Sequence, residues 1–294
     1  MLRGKKSGIV CHMVVKTSSY VESILKERQE REDRFKNSER GWLGLVGLFW
    51  LRDGENRIGS DPDNDIILPA GVPGHIGVVL YNNGVATFRA ARGVPVYCNG
   101  KQVTLKTLVA DIYEEADFLQ IGDLTLVLLD RAGRHLIRVW DRNSEARKNF
   151  TGFNQYPVNP DYCIEARYTD YDTPRLISIQ DLLEIYHETP FQGYVTFNFQ
   201  GEEHRLEARV DEDDMMRLDF RDATNGDTTY VGGRFLVTEM PKEGKIIVDF
   251  NQAYNPPCAY SDYATCPLPP PENRLPIRIE AGEKVYRAVS GHKH

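Results

Sequence analysis

A two-residue alternation of apolar and polar side chains recurs along much of the chain after Trp42. In the segment KIIVDFN (residues 245–251), every second residue from Ile246 to Phe250 is apolar, and the positions between them include an aspartate. The segments YVTFNF (residues 194–199) and MMRLDFR (residues 215–221) alternate in the same way. Successive side chains of a strand point to opposite faces, so each segment predicts a strand with one apolar and one polar face. The simplest interpretation is a core face and a solvated face; the alternative is a cleft with a polar lining.

Short apolar runs separated by turn residues fill the first half of the chain. Residues 53–64 (DGENRIGSDPDN) are typical of a turn, and shorter turns follow at residues 82–84, 99–100 and 132–133. Strands at such close spacing predict an all-β sandwich or barrel. The predicted strands of this half are Asp65–Leu68, Ile76–Tyr81, Ala86–Ala90, Val94–Cys98, Leu119–Leu129 and His135–Trp140.

The second half begins after residues 147–161, whose glycine, asparagines and prolines predict a connection between domains. Hairpin signals at residues 200–201 and 225–226 then predict an antiparallel meander, which closes into a small barrel or curls against a second sheet. Residues 179–186 fit one helical turn or a strand. The predicted strands of this half are Tyr162–Tyr168, Tyr194–Phe199, His204–Val210, Met215–Phe220, Thr229–Leu236, Lys245–Phe250 and Pro276–Ala281.

The segment before the strands, residues 17–40, predicts a helix. Ser19 and Glu22 have capping-box spacing, and the middle of the segment (KERQEREDR) is charged on all sides. Such a helix has a narrow apolar stripe, and it packs across a sheet edge or extends as an arm. The predicted organisation is a disordered tail (1–16), a helical arm (17–41), a β-sandwich (42–150), a β-barrel-like domain (151–287) with an ordered proline-rich segment (251–275), and a second disordered tail (288–294).

Parts of the first β half resemble a forkhead-associated (FHA) sandwich, in the pieces RIGS (57–60), NDIIL (64–68), CNGK (98–101) and LQIGD (119–123). An FHA domain reads phosphothreonine with an arginine directly after the Ile-Gly and with a Ser-x-x-His element. Here Ser60 holds the arginine position, and residues 73–75 (PGH) stand where the serine element belongs. Phosphate recognition depends on charge-assisted donors. The resemblance therefore implies an FHA-like antiparallel sandwich without phosphothreonine recognition.

The most unusual stretch is residues 249–283, which contains seven prolines, three tyrosines and two cysteines. Proline fixes φ and removes a backbone donor, so the stretch is neither a helix nor a central strand. Its aromatic side chains distinguish it from a flexible linker. A long ordered coil against a folded body is typical of a functional region. We therefore expect the candidate site to lie along this stretch, with the proline segment as one wall.

The sequence also resembles the signature of DUF1684, a prokaryotic family of unknown function, in the pieces FRDATNG (220–226), TY (229–230), RFL (234–236) and DFNQAYNPPCA to ATCPLPPPENRLP (249–276). An amino-terminal block of that family is similar to WL (42–43), GLFWL (47–51) and GSD (59–61). The resemblance extends from about residue 20 to residue 286. It implies membership of that family and carries no mechanism.

The composition and the missing motifs argue against several classes of function. The net charge of −7 argues against nonspecific nucleic-acid binding, and no apolar run approaches the roughly 20 residues that cross a bilayer. Residues 1–15 lack the apolar core and cleavage site of a signal peptide. We expect a cytoplasmic protein that binds neither nucleic acid nor membrane. The motifs of kinases, dehydrogenases, common esterases and zincins are missing, so the sequence assigns no cofactor.

Cys258 and Cys266 flank seven residues of the proline-rich segment. Three interpretations stay open: buried apolar thiols, a disulfide that staples a short loop, and metal ligands or a nucleophile with a partner such as His204 or Asp249. The chain has no Cys-x-x-Cys pair, so a zinc ribbon or a thioredoxin-type site is not expected.

The polar side chains near the proline segment supply the candidate site. Arg221 and Arg234 are suited to bidentate binding of a carboxylate or phosphate, or to a structural network with Asp222, Asp249 or Glu272. Our first hypothesis is a protein that binds a small polar or anionic ligand in the C-terminal β domain. Its candidate ligand-binding residues are Arg221, Tyr230, Arg234, Asp249, Tyr254, Asn255, Cys258, Tyr260 and Arg274.

Two further hypotheses belong to other classes of protein. One is a hydrolase or transferase in which Asp249 is the general base and Cys258 or Tyr254 lies near the reacting atom. The other is an interaction module in which the sandwich offers an edge or a loop surface to a partner. A second copy of the chain, forming a homo-oligomer, is one such partner.

Overall fold

A computed structural model of the chain describes residues 18–286. The fold is mainly β with one long N-terminal helix, α1 (Ser18–Asn37), as the sequence predicts. The predicted tails, residues 1–16 and 288–294, lie outside the described residues. The described chain divides into a sandwich unit (residues 35–150 and 261–264) and a half-barrel unit (residues 18–34, 151–260 and 265–286).

The sandwich unit contains two β-sheets and a short helix. Its elements are β1 (Leu45–Trp50), β2 (Gly54–Gly59), β3 (Ile66–Ile67), β4 (Gly77–Asn82), β5 (Val85–Ala90), β6 (Tyr97–Cys98), β7 (Lys101–Gln102), β8 (Leu105–Thr107), β9 (Phe118–Ile121), β10 (Leu124–Arg131), β11 (Arg134–Asp141) and α2 (Glu145–Lys148). The sheet orders are β1-β11-β10-β9-β6-β7 and β3-β2-β4-β5-β8. Side chains of both sheets, among them Phe88 and Leu126, share one hydrophobic core. The unit is therefore a two-sheet sandwich; its finer likeness to FHA domains stays a prediction.

Two expectations for this unit are wrong. Residues 54–59, expected within a turn, form strand β2. One of the buried positions of this strand is occupied by a polar residue, Asn56, whose amide donates to the carbonyls of Arg52 at 2.8 Å and Val79 at 3.3 Å. The alternation of apolar and polar residues is therefore interrupted there. The predicted strand Leu119–Leu129 is two strands, because Gly122 takes a φ of +57° and turns the chain between β9 and β10.

The half-barrel unit is built on one six-stranded antiparallel sheet. Its strands are β12 (Cys163–Gln180), β13 (Tyr186–Phe199), β14 (Glu202–Val210), β15 (Met216–Phe220), β16 (Arg234–Thr238) and β17 (Lys245–Asp249). The order β16-β15-β14-β13-β12-β17 contains the predicted meander of consecutive strands. The sheet curls until its edge strands approach, and the Thr238 hydroxyl donates to the Ile247 carbonyl at 2.8 Å. The result is a half-barrel.

The apolar faces of these strands form the core of the unit, as predicted. Phe197, Leu218 and Val248 are each at most 2% exposed. The polar faces are not uniformly solvated, because Asp219 and Asp249 are also buried, at 5% and 3% exposed. α1 and the proline-rich segment cover them. The interpretation as a core face and a wet face is therefore wrong for this part of the sheet.

Other strand predictions for this unit need correction. Residues 276–281 are coil instead of a strand, because the carbonyls of Ile279 and Ala281 accept from the Arg234 guanidinium instead of from a neighbouring strand. β16 begins at Arg234 instead of Thr229, since a compact turn bonds the Thr229 N–H to the Thr224 carbonyl at 3.1 Å. Residues 169–193, largely unassigned from the sequence, lie mainly in the long strands β12 and β13.

Candidate functional site

The two ends of the proline-rich segment (residues 251–275) are hydrogen-bonded to the half-barrel. Near its start, Tyr254 exchanges backbone hydrogen bonds with Phe235 of β16, at 2.8 and 2.9 Å. Near its end, Arg221 donates to the Asn273 carbonyl and accepts from the Leu275 N–H, both at 2.8 Å. These bonds are the backbone partners that proline-rich coil lacks within itself. The ends of the segment are thus fixed, as the composition predicts.

A buried carboxylate, Glu283, hydrogen-bonds to two of the predicted residues and to Arg31 of α1. Its Oε2 accepts from the Asn255 N–H at 2.8 Å and from the Tyr260 hydroxyl at 2.6 Å, and Arg31 of α1 pairs with Oε1. Burial, together with the Glu283 charge, raises the pKa of Tyr260 well above its ordinary value. Glu283 therefore fastens α1 to the proline-rich segment.

Tyr254 lies in the same region, against cationic and aromatic groups. The Arg31 guanidinium lies 4.7 Å from the centre of the Tyr254 ring and 4.4 Å from that of Phe153. Phe235 packs edge-on against Tyr254 at 6.0 Å. Burial raises the pKa of the Tyr254 phenol, so this phenol stays protonated at neutral pH. Its surroundings are those of a packed anchor.

Asp249 is held in a second, separate network. Its oxygens accept from the Tyr20 hydroxyl at 2.9 Å, the Gln252 amide at 3.1 Å, and the backbone and side-chain N–H groups of Asn251 at 3.1 and 3.0 Å. A carboxylate offers about four lone-pair sites, and these four bonds occupy them. Within residues 18–286, no hydrogen bond joins this network to Cys258, which the enzyme hypothesis places beside Asp249.

Arg234 and Asp222 form a fully buried ion pair, with both side chains 0% exposed and Nη2 lying 2.6 Å from Oδ2. The same guanidinium donates to the carbonyls of Ile279, Ala281 and Glu283. Arg234 therefore has the geometry of the structural network that the sequence leaves open as the alternative to ligand binding.

Arg221 and Arg274 face each other in an isolated parallel bridge between their backbones. Arg221 is partly buried, and Arg274 is exposed. The bridge brings two predicted ligand-binding residues together at the edge of the half-barrel. Neither of them joins the network around Glu283.

A further cluster in the half-barrel unit contains Cys258, Cys266 and Tyr230. The Cys258 N–H donates to Sγ of Cys266 at 3.2 Å, and the Tyr230 hydroxyl donates to the Cys258 carbonyl at 3.3 Å. The two cysteines are not joined by a disulfide, and they are only 7% and 4% exposed. Among residues 18–286, no group of three or more His, Cys, Asp or Glu side chains is arranged to hold a metal ion.

The sequence did not single out Arg31 and Glu283. They lie 252 positions apart, and only the docking of α1 unites them. Arg31 stands within a charged run and Glu283 follows a coil, so neither shows a local pattern that predicts the pair.

A cleft of about 400 Å³ opens at one end of the sheet, lined by Asn159, Asp161, Tyr162, Ile164, Asn198, Phe199 and Gln200. The rings of Tyr162 and Phe199 lie 5.2 Å apart and form an aromatic wall. Asp161, Asn198 and Gln200 are exposed at its rim. The cleft contains none of the residues that the sequence singled out, although it lies in the domain where a pocket was expected.

The Asp249 network supports this cleft from behind. Asn251, which bonds to Asp249, accepts from the Asn159 N–H at 2.9 Å and donates to the Asn159 carbonyl at 2.8 Å. The Asn159 side chain in turn accepts from the Asp161 N–H at 3.0 Å. On the other wall, the Tyr162 hydroxyl accepts from the Glu280 N–H at 3.3 Å. The cleft is therefore partly pre-formed by buried hydrogen bonds.

Comparison with known proteins identifies a family and no activity. Residues 148–284 match the family described as "Protein of unknown function (DUF1684)". The chain is also similar to an uncharacterized protein of Haloarcula marismortui with a solution NMR structure, at 35% identity over 47% of this chain and 78% of that one, with a TM-score of 0.40. No curated protein matches the chain. No helix within residues 18–286 has the length and apolar character needed to cross a membrane.

Proposed function

We propose that the half-barrel unit, in a chain whose residues 148–284 match the DUF1684 family, binds a small, uncharged, hydroxyl-rich molecule of the carbohydrate class. The observation that carries the proposal is the cleft with an aromatic wall and a rim of amides and one carboxylate. Its volume of about 400 Å³ falls within the usual range of ligand sites.

The rim favours hydroxyl groups over anions. Asn198 and Gln200 each offer an amide donor and an acceptor, which is what a hydroxyl needs because it both donates and accepts. Asp161 offers two acceptor oxygens to a pair of neighbouring hydroxyls. None of the seven lining residues is Lys, Arg or His, so an anionic ligand finds no charge-assisted donor among them. This narrows the expected polar or anionic ligand to a neutral one.

The aromatic wall accounts for the rest of the ligand. Sugar rings carry an apolar face of C–H groups, which packs on an aromatic ring by dispersion and burial of apolar surface. Tyr162 and Phe199 supply such a surface beside the polar rim. Both rings are partly buried, so the surface is fixed before a ligand arrives.

A binding screen of the full chain tests the proposal. Neutral mono- and oligosaccharides on a glycan array, followed by calorimetric titration of any that bind, are expected to yield a ligand. Asn198→Ala and Asp161→Asn change exposed rim groups, so we expect an unchanged melting temperature and an affinity about 5–10-fold weaker for each lost hydrogen bond. Tyr186→Ala is the matched control, since Tyr186 lies on the same strand and is 64% exposed outside the cleft.

Two results contradict the proposal. One is an absence of binding by all neutral sugars while an anionic probe such as inorganic phosphate or citrate binds. The other is sugar binding that both rim variants leave as strong as Tyr186→Ala does. In either case the ligand site lies elsewhere or has another chemistry.

Other expectations from the sequence stay predictions beside this one. A cytoplasmic location is tested by cell fractionation, and self-association by light scattering in solution. An interaction role for the sandwich unit is tested by pull-down with its exposed strand edges altered. The enzyme hypothesis with Asp249 and Cys258 requires a shared reaction site, whereas the two side chains belong to different hydrogen-bond networks.

A further inference from the structure

Two buried cysteines are hydrogen-bonded to each other in the half-barrel unit, outside the cleft. Cys258 and Cys266 lie eight positions apart, and the Cys258 N–H donates to Sγ of Cys266 at 3.2 Å. Pro257 precedes the first cysteine and Pro267 follows the second, and proline restricts the backbone at both positions. The Cys266 sulfur is therefore held against the Cys258 backbone without a disulfide.

We propose that Cys258 and Cys266 form a reversible dithiol–disulfide pair that reacts with peroxides. Cys258 is the nucleophile and Cys266 is the resolving thiol. Sequence reasoning left burial, a disulfide and a nucleophile open for these residues, and the hydrogen bond that places the Cys266 sulfur beside Cys258 allows one pair to be packed when reduced and linked when oxidised.

The surroundings of Cys258 favour its thiolate over that of Cys266. A hydrogen bond from Cys266 lowers the pKa of Cys258 against the opposing effect of burial, and the Tyr230 hydroxyl acts in the same direction. The pKa of Cys266 is raised, first because it shares this hydrogen bond and then because it is buried. The thiolate is the reacting form of cysteine, so the two residues take different roles.

The reaction balances with a hydroperoxide as the oxidant. The Cys258 thiolate attacks one peroxide oxygen, the O–O bond breaks, and hydroxide leaves and takes a proton to become water. The Cys266 sulfur then attacks Sγ of the resulting sulfenic acid. The S–S bond forms, the S–O bond breaks, and the thiol proton leaves with the hydroxide as a second water. Two thiols and one hydrogen peroxide thus give one disulfide and two waters.

Cys98 provides an internal control of matched burial, since it is 5% exposed against 7% for Cys258. Its thiol donates to Asp117 at 3.1 Å, and burial together with that bond raises the pKa of Cys98 to about 11. The ordinary pKa is 9.0 and that of Cys258 is lower. At a common pH the thiolate fraction of Cys258 therefore exceeds that of Cys98.

The test exposes the reduced full chain to hydrogen peroxide at neutral pH, then alkylates and digests it with trypsin. No lysine or arginine lies between Ile246 and Arg274, so one peptide carries both cysteines. We expect this peptide to lose two hydrogen masses, to resist alkylation and to recover with dithiothreitol. Cys266→Ser should leave a sulfenic acid at Cys258 that dimedone traps, and Cys258→Ser should abolish both products.

Three outcomes would overturn the proposal. The peptide stays fully reduced while Cys98 is oxidised at an equal or higher rate. A second such outcome is that Cys258 proceeds to sulfinic acid in the unaltered chain without forming the disulfide. A third is that the Cys258→Ser chain still forms a sulfenic acid that dimedone traps, now at Cys266. A circular dichroism spectrum of each variant confirms that the chain remains folded, and the Cys98 measurement on the unaltered chain needs no variant.

Discussion

Replacing Arg234 separates a structural role from a ligand-binding one. In Arg234→Met, the Asp222 carboxylate stays 0% exposed and loses its only ion-pair partner among the described residues. The carbonyls of Ile279 and Ala281 lose a donor as well. Breaking a buried pair from one side costs about 3–5 kcal/mol. Each orphaned carbonyl adds to that figure, because an unsatisfied buried acceptor costs about 1–3 kcal/mol before the site relaxes.

The assay is equilibrium unfolding of the chain in urea, followed by far-ultraviolet circular dichroism. Arg278→Met is the matched control. Arg278 precedes Ile279, whose carbonyl accepts from Arg234, and it pairs with Asp227, but the Arg278 and Asp227 side chains are 43% and 61% exposed. Exposed pairs contribute at most about 1 kcal/mol. We therefore expect Arg234→Met to reduce the free energy of unfolding by at least about 3 kcal/mol. We expect Arg278→Met to reduce it by at most about 1 kcal/mol.

A double variant sharpens the measurement. Adding Asp222→Asn to Arg234→Met removes the unpaired buried charge, while the amide oxygen can still accept from the Thr224 N–H, a bond of 2.7 Å in the native chain. We expect the double variant to be more stable than Arg234→Met alone. A double variant that is less stable, or an Arg234→Met chain as stable as the Arg278→Met chain, would refute the interpretation of this pair as a structural clamp.

Two further predictions concern the sandwich unit. Burial acts to raise the pKa of Asp117, but hydrogen bonds from the Val109 N–H and from Lys106 hold it below its ordinary value. A carboxylate with a depressed folded-state pKa stabilises the fold at pH values above its unfolded-state pKa, near 4, and this stabilisation is lost as the pH falls through the folded-state pKa. We therefore expect Asp117→Asn to be less stable than the unaltered chain at neutral pH, and its stability to change less as the pH falls. Urea unfolding from about pH 7 to pH 3 measures both effects. In Gly59→Ala the new Cβ would lie 2.1 Å from the Gly74 carbonyl oxygen, so we expect a loss of about 1–3 kcal/mol in the same assay, and an unchanged midpoint would contradict it.

The alternation of side chains was sufficient to predict most of the fold. It identified the core faces of β13, β15 and β17, whose apolar positions are buried. The turn signal at residues 200–201 also placed a hairpin correctly, since Gln200 and Gly201 have φ values of +55° and +88°. Both signals are local, because a strand and its tight turn are determined by neighbouring residues.

Prediction of the cleft from the sequence would have required the register in which β12 pairs with β13, and local sequence signals do not provide it. Its aromatic wall unites Tyr162, before β12, with Phe199, at the end of β13. Counting outward from the hairpin turn gives the wrong partners, because β12 has a bulge in which five steps from Asp170 to Arg175 match two steps on β13. Such a bulge shifts every later pairing. The aromatic wall was therefore not predictable from the positions of the strands.

The proline-rich segment shows why the predicted residues and the proposed cleft differ. Sequence reasoning selected charged and aromatic groups beside a stiff coil, and in the structure these groups are divided among separate hydrogen-bond networks. In these networks Glu283 and Asp249 already have hydrogen-bond partners on both oxygens, and such saturated groups have little capacity left for a ligand. Exposed polar groups instead lie at the rim of the proposed cleft, where Asp161 and Asn198 face solvent. Because Asn251 bonds to both Asp249 and Asn159, the Asp249 network and the cleft are physically continuous. Asp249 therefore supports the cleft from behind, and its removal should weaken the proposed ligand binding only by displacing Asn159.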